Sequence, residues 1–234
     1  MTEESVSFPV ASAPGVELEG RVLDGGGRAV VISHPHPLHG GNMDHPVVET
    51  VWRAAADAGY RALRFNFRGV GASGGELHPK SPLALEDLRA AIAFLDEKPL
   101  LAIGYSYGAR ATLHGIHGGY PFERAVLIGI PTRRPANNRA MSNLVLGRRL
   151  KGEEYKRTPD LDMLADVSVP LRVIAGALDP LFEPGEVRQR GVEPVLIEGC
   201  NHFFSRRLGN QQPEPADLDT VARHALEFLK DDSA

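Results

Sequence analysis

The stretch from Pro99 to Leu113 constrains this chain more than any other. An apolar run, Leu100 to Ile103, reads as a buried strand, and it leads without a break into Gly104-Tyr-Ser-Tyr-Gly108. Beyond it, Ala109, Ala111, Thr112 and Leu113 read as a helix with small residues on its packing side. Strand, serine-bearing turn and helix together make a Gly-x-Ser-x-Gly elbow. The glycines have a steric reason. Strand and helix approach too closely there for bulky neighbours, and the tight turn holds its serine in a strained backbone shape. The turn lifts the Ser106 hydroxyl clear of the sheet. It also leaves the amide of Tyr107 at a helix N-terminus, where negative charge is stabilised. A serine that merely caps a helix is the competing reading. The rest of the chain must therefore supply a base, an acid and a second donor to an oxyanion.

The length, 234 residues with 42% hydrophobic and 24% charged, suits a single α/β domain spanning 1–234. A formal net charge of −4 gives no reason to expect nucleic acid or an anionic membrane as partner. Met1 to Ser5 is acidic and carries no apolar segment of a secretory signal, and no apolar run approaches the length of a membrane span. The single cysteine, Cys200, excludes an internal disulfide and is compatible with a reducing compartment. The expectation is a cytoplasmic protein with a small-molecule partner, no cofactor and no metal; the oligomeric state is left open.

Along the chain, residues 5–10 and 16–23 alternate apolar and polar, as edge strands do, and Asp24 to Gly27 reads as a hairpin turn. Ala29 to Ile32 is a buried strand. Residues 46–58 form a helix with Pro46 in its first turn, and Tyr60 to Phe67 is the next strand. The glycine-rich run Arg68 to Gly75 lacks the spacing of a phosphate or dinucleotide loop and reads as a structural turn. Ser81 and Pro82 open a helix in which Glu86 and Asp87 are read as solvated charges. Strands follow at Arg124 to Ile130, Pro170 to Ala177 and Val192 to Ile197, with a short helix near Glu186 and a closing helix over 215–230. Strands alternating with helices imply a mostly parallel sheet with helices on both faces, and chemistry beyond the carboxyl ends of its strands.

Three further segments bear on chemistry. His34-Pro-His-Pro-Leu-His-Gly-Gly41 follows a strand end. Two prolines interrupt the histidines, which argues against a metal site. As the loop after the third expected strand it suits the second oxyanion donor; Pro35 and Pro37 have no N–H, leaving His36 or Leu38, of which His36 is nearer the strand. Leu38 is also a candidate for contact with substrate. Ser106, Asp179 and His202 each fall just past an expected strand end, in the chain order Ser, acid, His. His202 would take the serine proton, and Asp179 would fix the imidazole tautomer and stabilise the imidazolium. Asp160, Asp162 and Asp166 are rival acids placed before the strand, and Cys200 reads as a small filler. Residues 131–159 read as an insertion forming a small cap, with eight Arg and Lys against Glu153 and Glu154. Arg133 and Arg134, nearest the strand end, are candidates for binding an anionic substrate.

His34 to Gly41, Arg64-Phe-Asn-Phe-Arg-Gly-Val-Gly-Ala-Ser73 and Gly104 to Gly108 together resemble a group of small bacterial α/β hydrolases known only as predicted serine hydrolases. That group is related to the dienelactone-hydrolase-like and acyl-peptidase-like branches. The resemblance covers nearly the whole chain. It implies an α/β-hydrolase fold with an eight-stranded-type sheet, a triad on Ser106, Asp179 and His202, and oxyanion amides after the third strand and on Tyr107. The chain departs from dienelactone hydrolases proper, which have cysteine at the nucleophile position, and from dehalogenases, which have aspartate. The expected activity is hydrolysis of a carboxylic ester or thioester through an acyl-enzyme on Ser106. A small-peptide hydrolase, an acyltransferase or a non-catalytic binder on the same fold are the alternatives.

Overall fold

The computed structural model describes residues 2–77, 81–96, 100–137, 151–207 and 212–230. The strands are β1 (Glu3–Pro9), β2 (Glu17–Asp24), β3 (Ala29–Ser33), β4 (Arg61–Phe65), β5 (Leu100–Tyr105), β6 (Phe122–Ile128), β7 (Arg133–Pro135), β8 (Tyr155–Arg157), β9 (Leu171–Gly176) and β10 (Val195–Ile197). Eight of them form one sheet in the order β1-β2-β4-β3-β5-β6-β9-β10, and β7 and β8 pair as a separate hairpin. β2 runs antiparallel to both β1 and β4; the remaining neighbours in the large sheet are parallel. The helices are α1 (Pro46–Asp57), α2 (Ser81–Leu95), α3 (Tyr107–His117), α4 (Pro184–Arg188) and α5 (Pro215–Lys230).

The central strands are buried on both faces, which is why they read as unbroken apolar runs. Val30 and Ile32 of β3, with Leu101 and Ile103 of β5, pack under Trp52 of α1 and Val221 of α5. Ala29 and Val31, with Leu100 and Ala102, face Leu88 of α2 and Ala111 of α3. Each leucine- or valine-sized side chain buried this way contributes about 1.5–3 kcal/mol. No helix among the described residues is long and apolar enough to cross a membrane.

Two expectations need correction. Asp24 to Gly27 is not a hairpin turn, because β4 lies between β2 and β3. Its glycines serve a close approach instead: a Cβ on Gly25 would strike the main chain of Gly59 and Tyr60 at the end of α1. Nor is Asp87 a solvated charge. It is 1% exposed and accepts the Arg68 main-chain N–H at 2.9 Å and its Nε at 2.8 Å, while Glu86 takes the same guanidinium at 3.0 Å. The glycine-rich turn after β4 is thereby tied to α2.

β5 has β3 on one side and β6 on the other. With strands about 4.8 Å apart, the loop after β3 is the immediate neighbour of Ser106. Any group following β9 or β10 must reach back across two or three strand spacings.

Candidate active site

Ser106 joins β5 to α3 at φ 53° and ψ −104°, a left-handed backbone that only an over-determined turn holds. The turn is over-determined by near-contacts of main chain. A Cβ on Gly108 would strike the Ser33 carbonyl, and one on Gly104 would strike the main chain of Gly108 and Ala109. The Gly108 N–H donates to His34 O at 3.1 Å, and the Ser106 N–H donates to Ile128 O at 2.8 Å.

Ser106 Oγ lies 3.0 Å from His202 Nε2, and His202 Nδ1 lies 2.7 Å from Asp179 Oδ2. A carboxylate can only accept, so Nδ1 carries the imidazole proton and Nε2 is left to accept from the serine hydroxyl. The other carboxylate oxygen, Asp179 Oδ1, accepts the Leu181 N–H at 2.8 Å. All three residues are buried to the same degree, between 5% and 8% exposed, so the chain of bonds is shielded from bulk water.

His202 gets there because its loop is sewn to the end of β9. Leu178 N–H donates to Cys200 O at 2.8 Å, and a Cβ on Gly176 would collide with the carbonyls of Cys200 and Asn201. Asn201 Oδ1 accepts the amides of Phe203 at 2.8 Å and Ser205 at 3.2 Å, closing the loop on itself. From the far side, the buried Tyr105 hydroxyl donates to His202 O at 2.9 Å. Tyr105 was not singled out in the sequence. Its signal was a phenol inside an otherwise apolar strand, since a buried tyrosine hydroxyl requires a partner.

Of the three histidines of the β3 loop, two have separate tasks, and the ring of the third, His39, lies 5.1 Å from that of His36. His34 is fully buried; Nδ1 donates to Pro35 O at 2.7 Å and Nε2 accepts the Phe67 N–H at 3.1 Å, pinning the ends of β3 and β4 together. Burial pushes its pKa down to about 3, so it stays neutral. His36 Nδ1 accepts the Leu38 N–H at 3.2 Å, so the Leu38 amide is used within the loop. The amides of His36 and Tyr107 take no protein acceptor among the described residues, and the two rings meet at 4.9 Å. His45, at the start of α1, is a further half-buried imidazole missed in the sequence; it lies 5.1 Å from the Tyr105 ring, and burial and the neighbouring His202 push it down to about 4. No group of three His, Cys, Asp or Glu able to hold a metal ion is found among the described residues.

Asp160, Asp162 and Cys200 are engaged elsewhere, and Asp166 is exposed. Asp160 pairs with Arg110, Asp162 with Arg157 and Arg190, and the buried Cys200 thiol is pushed up to about 12 by burial and by Asp217. Of the insertion, residues 138–150 lie outside the described residues, with Arg139, Arg148, Arg149 and Leu144 to Leu146 among them. What is described is its stem, the β7–β8 hairpin. Arg133 does not present a free cation to a substrate. Its Nε donates to Pro180 O at 3.0 Å, its Nη1 meets Glu183 at 3.1 Å, and its guanidinium lies 4.3 Å over the Tyr155 ring. Arg134 is exposed on the opposite side of the strand. Leu38, at 57%, and Leu178, at 52%, are the large apolar side chains most open to solvent among the described residues, one on the β3 loop and one beside Asp179.

No protein-family model matches the chain. An uncharacterised protein of Rickettsia prowazekii is 34% identical over 195 residues, covering 74% of this chain and 71% of that one. Among solved structures, an α/β serine hydrolase homologue from Coxiella burnetii superposes with a TM-score of 0.70 at 22% identity, covering 98% of each chain. An esterase from Pyrococcus furiosus does so with a TM-score of 0.70 at 20% identity, covering 98% of this chain and 92% of its own. An α/β serine hydrolase without a lid, from Xanthomonas campestris, gives 0.67 at 22%, covering 98% and 95%. At such identities the structural likeness speaks for the fold.

Proposed function

We propose that the chain, which belongs to one family with the rickettsial protein and has the fold of the α/β hydrolases, is a serine hydrolase of carboxylic esters or thioesters. The observation that carries this reading is the unbroken line of bonds from Ser106 Oγ through His202 to Asp179. In the proposed reaction Ser106 Oγ attacks the acyl carbon while His202 Nε2 takes its proton. The tetrahedral oxyanion is held by the free amides of His36 and Tyr107; one such donor is worth about two to three orders of magnitude in rate. Collapse expels the alcohol or thiol, which leaves with the proton from His202. Water then attacks the acyl-Ser106 ester with His202 taking its proton, and collapse releases the acid as Ser106 Oγ leaves with that proton from His202. Asp179 keeps Nδ1 protonated and balances the imidazolium charge throughout. Leu38 offers apolar surface to the substrate. Because Arg133 is bound within the chain, the substrate is read as neutral at that side of the site.

A fluorophosphonate probe tests the reading. It should label the wild-type protein on the Ser106 peptide, with labelling lost in Ser106→Ala. Short p-nitrophenyl esters and the matching thioesters should turn over, and Ser106→Ala should lose about six orders of magnitude in kcat. Undiminished labelling of Ser106→Ala would remove Ser106 as nucleophile. Labelling without turnover of any ester or thioester would leave a reactive serine but not this substrate class.

A further inference from the structure

We propose that the stem of the insertion is a brace for the acid of the relay, with Arg133 and Thr132 as its positioning residues. This rests on the reading of Ser106, His202 and Asp179 given above. The loop that carries Asp179, from Asp179 to Glu183, has no helix or strand of its own to fix it before α4 begins. The stem supplies what the loop lacks. The amides of Thr132 and Arg133 both donate to Leu181 O, at 3.0 and 3.1 Å. Thr132 Oγ1, in a residue 1% exposed, accepts the Glu183 N–H at 2.7 Å. Arg133 closes the pattern through Nε on Pro180 O and Nη1 on Glu183, with its guanidinium backed by Tyr155 of the second stem strand. The stem is itself clamped at its base, where Thr158 donates its N–H to Thr132 O at 2.9 Å and its hydroxyl to Pro131 O at 2.9 Å.

Every peptide group from 180 to 182 is therefore held from the stem, and the Leu181 amide between them is the donor that fixes Asp179 Oδ1. With Oδ1 fixed, the carboxylate can turn only one edge to His202. A carboxylate left free to swing loses the alignment on which the imidazole tautomer depends, and small misplacements of reacting groups carry large penalties in rate. Arg133 is bonded to Pro180, Leu181 and Glu183 and to none of Ser106, His202 and Asp179, so in this proposal it acts through Pro180 and Leu181.

The test compares Arg133→Met, which removes charge and donors, with Arg133→Lys, which keeps the charge without the planar fork. It pairs Thr132→Val, which removes the Oγ acceptor at nearly constant shape, with Thr132→Ser, which restores it. The readouts are kcat and KM for a neutral acetate ester, thermal midpoint, and the downfield proton resonance of the His202 Nδ1–H in the resting protein. Arg133→Met and Thr132→Val should each lower kcat by about tenfold with KM nearly unchanged, and should broaden or shift that resonance. Arg133→Lys should recover only part of the loss, and Thr132→Ser most of it. A lower melting point with kcat and the resonance unchanged would overturn the proposal. So would a rise in KM confined to an anionic ester, which would make Arg133 a substrate contact. If Arg133→Met does not fold, the Thr132 pair decides alone. Wild-type protein that fails to react with a fluorophosphonate would sink the hydrolase reading instead, while the resonance would still test the brace.

Discussion

The two sides of the candidate site are held by different means. On the Ser106 side the work is done by main chain and by missing atoms. Gly104 and Gly108 let β5, α3 and β3 touch, Ser106 sits at a positive φ, and the free N–H groups of His36 and Tyr107 belong to the backbone. On the side of His202 and Asp179 the work is done by side chains reaching main chain over long separations. Tyr105 holds His202 across 97 positions, and Thr132 and Arg133 hold the Asp179 loop across roughly half that span. The first construction fails when an atom is added. The second fails by degrees as atoms are removed.

After loss of Ser106 itself, the largest effect should come from Asp179→Asn. It keeps the shape but puts an NH2 in place of one carboxylate oxygen, so that with the remaining oxygen on the Leu181 N–H nothing accepts from His202 Nδ1, and kcat should fall by about four orders of magnitude at nearly unchanged KM. A loss below tenfold would mean that the acid lies elsewhere.

Next in size is an acid sensitivity rooted on the Ser106 side. His34 is neutral in the fold, with its pKa pushed from 6.5 down to about 3. The unfolded chain binds a proton below 6.5 that the folded chain refuses. Stability is thus whole above 6.5 and drains as pH falls towards 3, by up to about 4 kcal/mol. His45 acts with the same sign over a narrower window. His34→Gln, which can still accept from Phe67 and donate to Pro35, should flatten urea-derived stability between pH 6.5 and 3. Parallel curves for wild type and variant would discharge His34 from this role.

A single methyl sharpens the contrast further. Gly108→Ala presses a Cβ into the Ser33 carbonyl and should lower stability by about 3 kcal/mol or block folding. On the other side, Gly185→Ala meets only a Glu183 carboxylate oxygen at 3.7 Å and should be neutral within about 1 kcal/mol. Equal melting points for the two would erase the distinction. The smallest effect is that of Tyr105→Phe. Losing one buried hydroxyl should lower stability by about 1–2 kcal/mol and slow turnover modestly, through a looser His202 loop. No change in either would reduce Tyr105 to core packing.

The same contrast explains what could be read from the sequence. The sheet and the turn at Ser106 were legible because each is local: buried strands are runs of apolar residues, and the turn between strand and helix lies within Gly104 to Gly108. The order Ser106, Asp179, His202 marked positions past strand ends, and the fold brings those three together. What stayed hidden is non-local. Asp24 to Gly27 carries the residues of a hairpin, and only the placement of β4 between its strands shows otherwise. Asp87 resembles any early-helix carboxylate until Arg68 arrives from another loop. Arg133 is one base among many in the insertion, and nothing near it in sequence names Pro180 as its partner.

The sheet order has a consequence for how the molecule comes apart. β5 lies in the interior of the sheet, whereas β10, the three-residue strand that leads into the His202 loop, is an edge with a single neighbour in β9. Native-state hydrogen exchange should find the amides of Leu100 to Tyr105 opening only with global unfolding, and those of Val195 to Ile197 opening far sooner. Excursions that lift the edge would carry His202 away from a serine that is still in place. At mild denaturant, the proposed activity should then disappear in a sub-global step while β5 remains protected, so that the population able to perform it is smaller than the folded one.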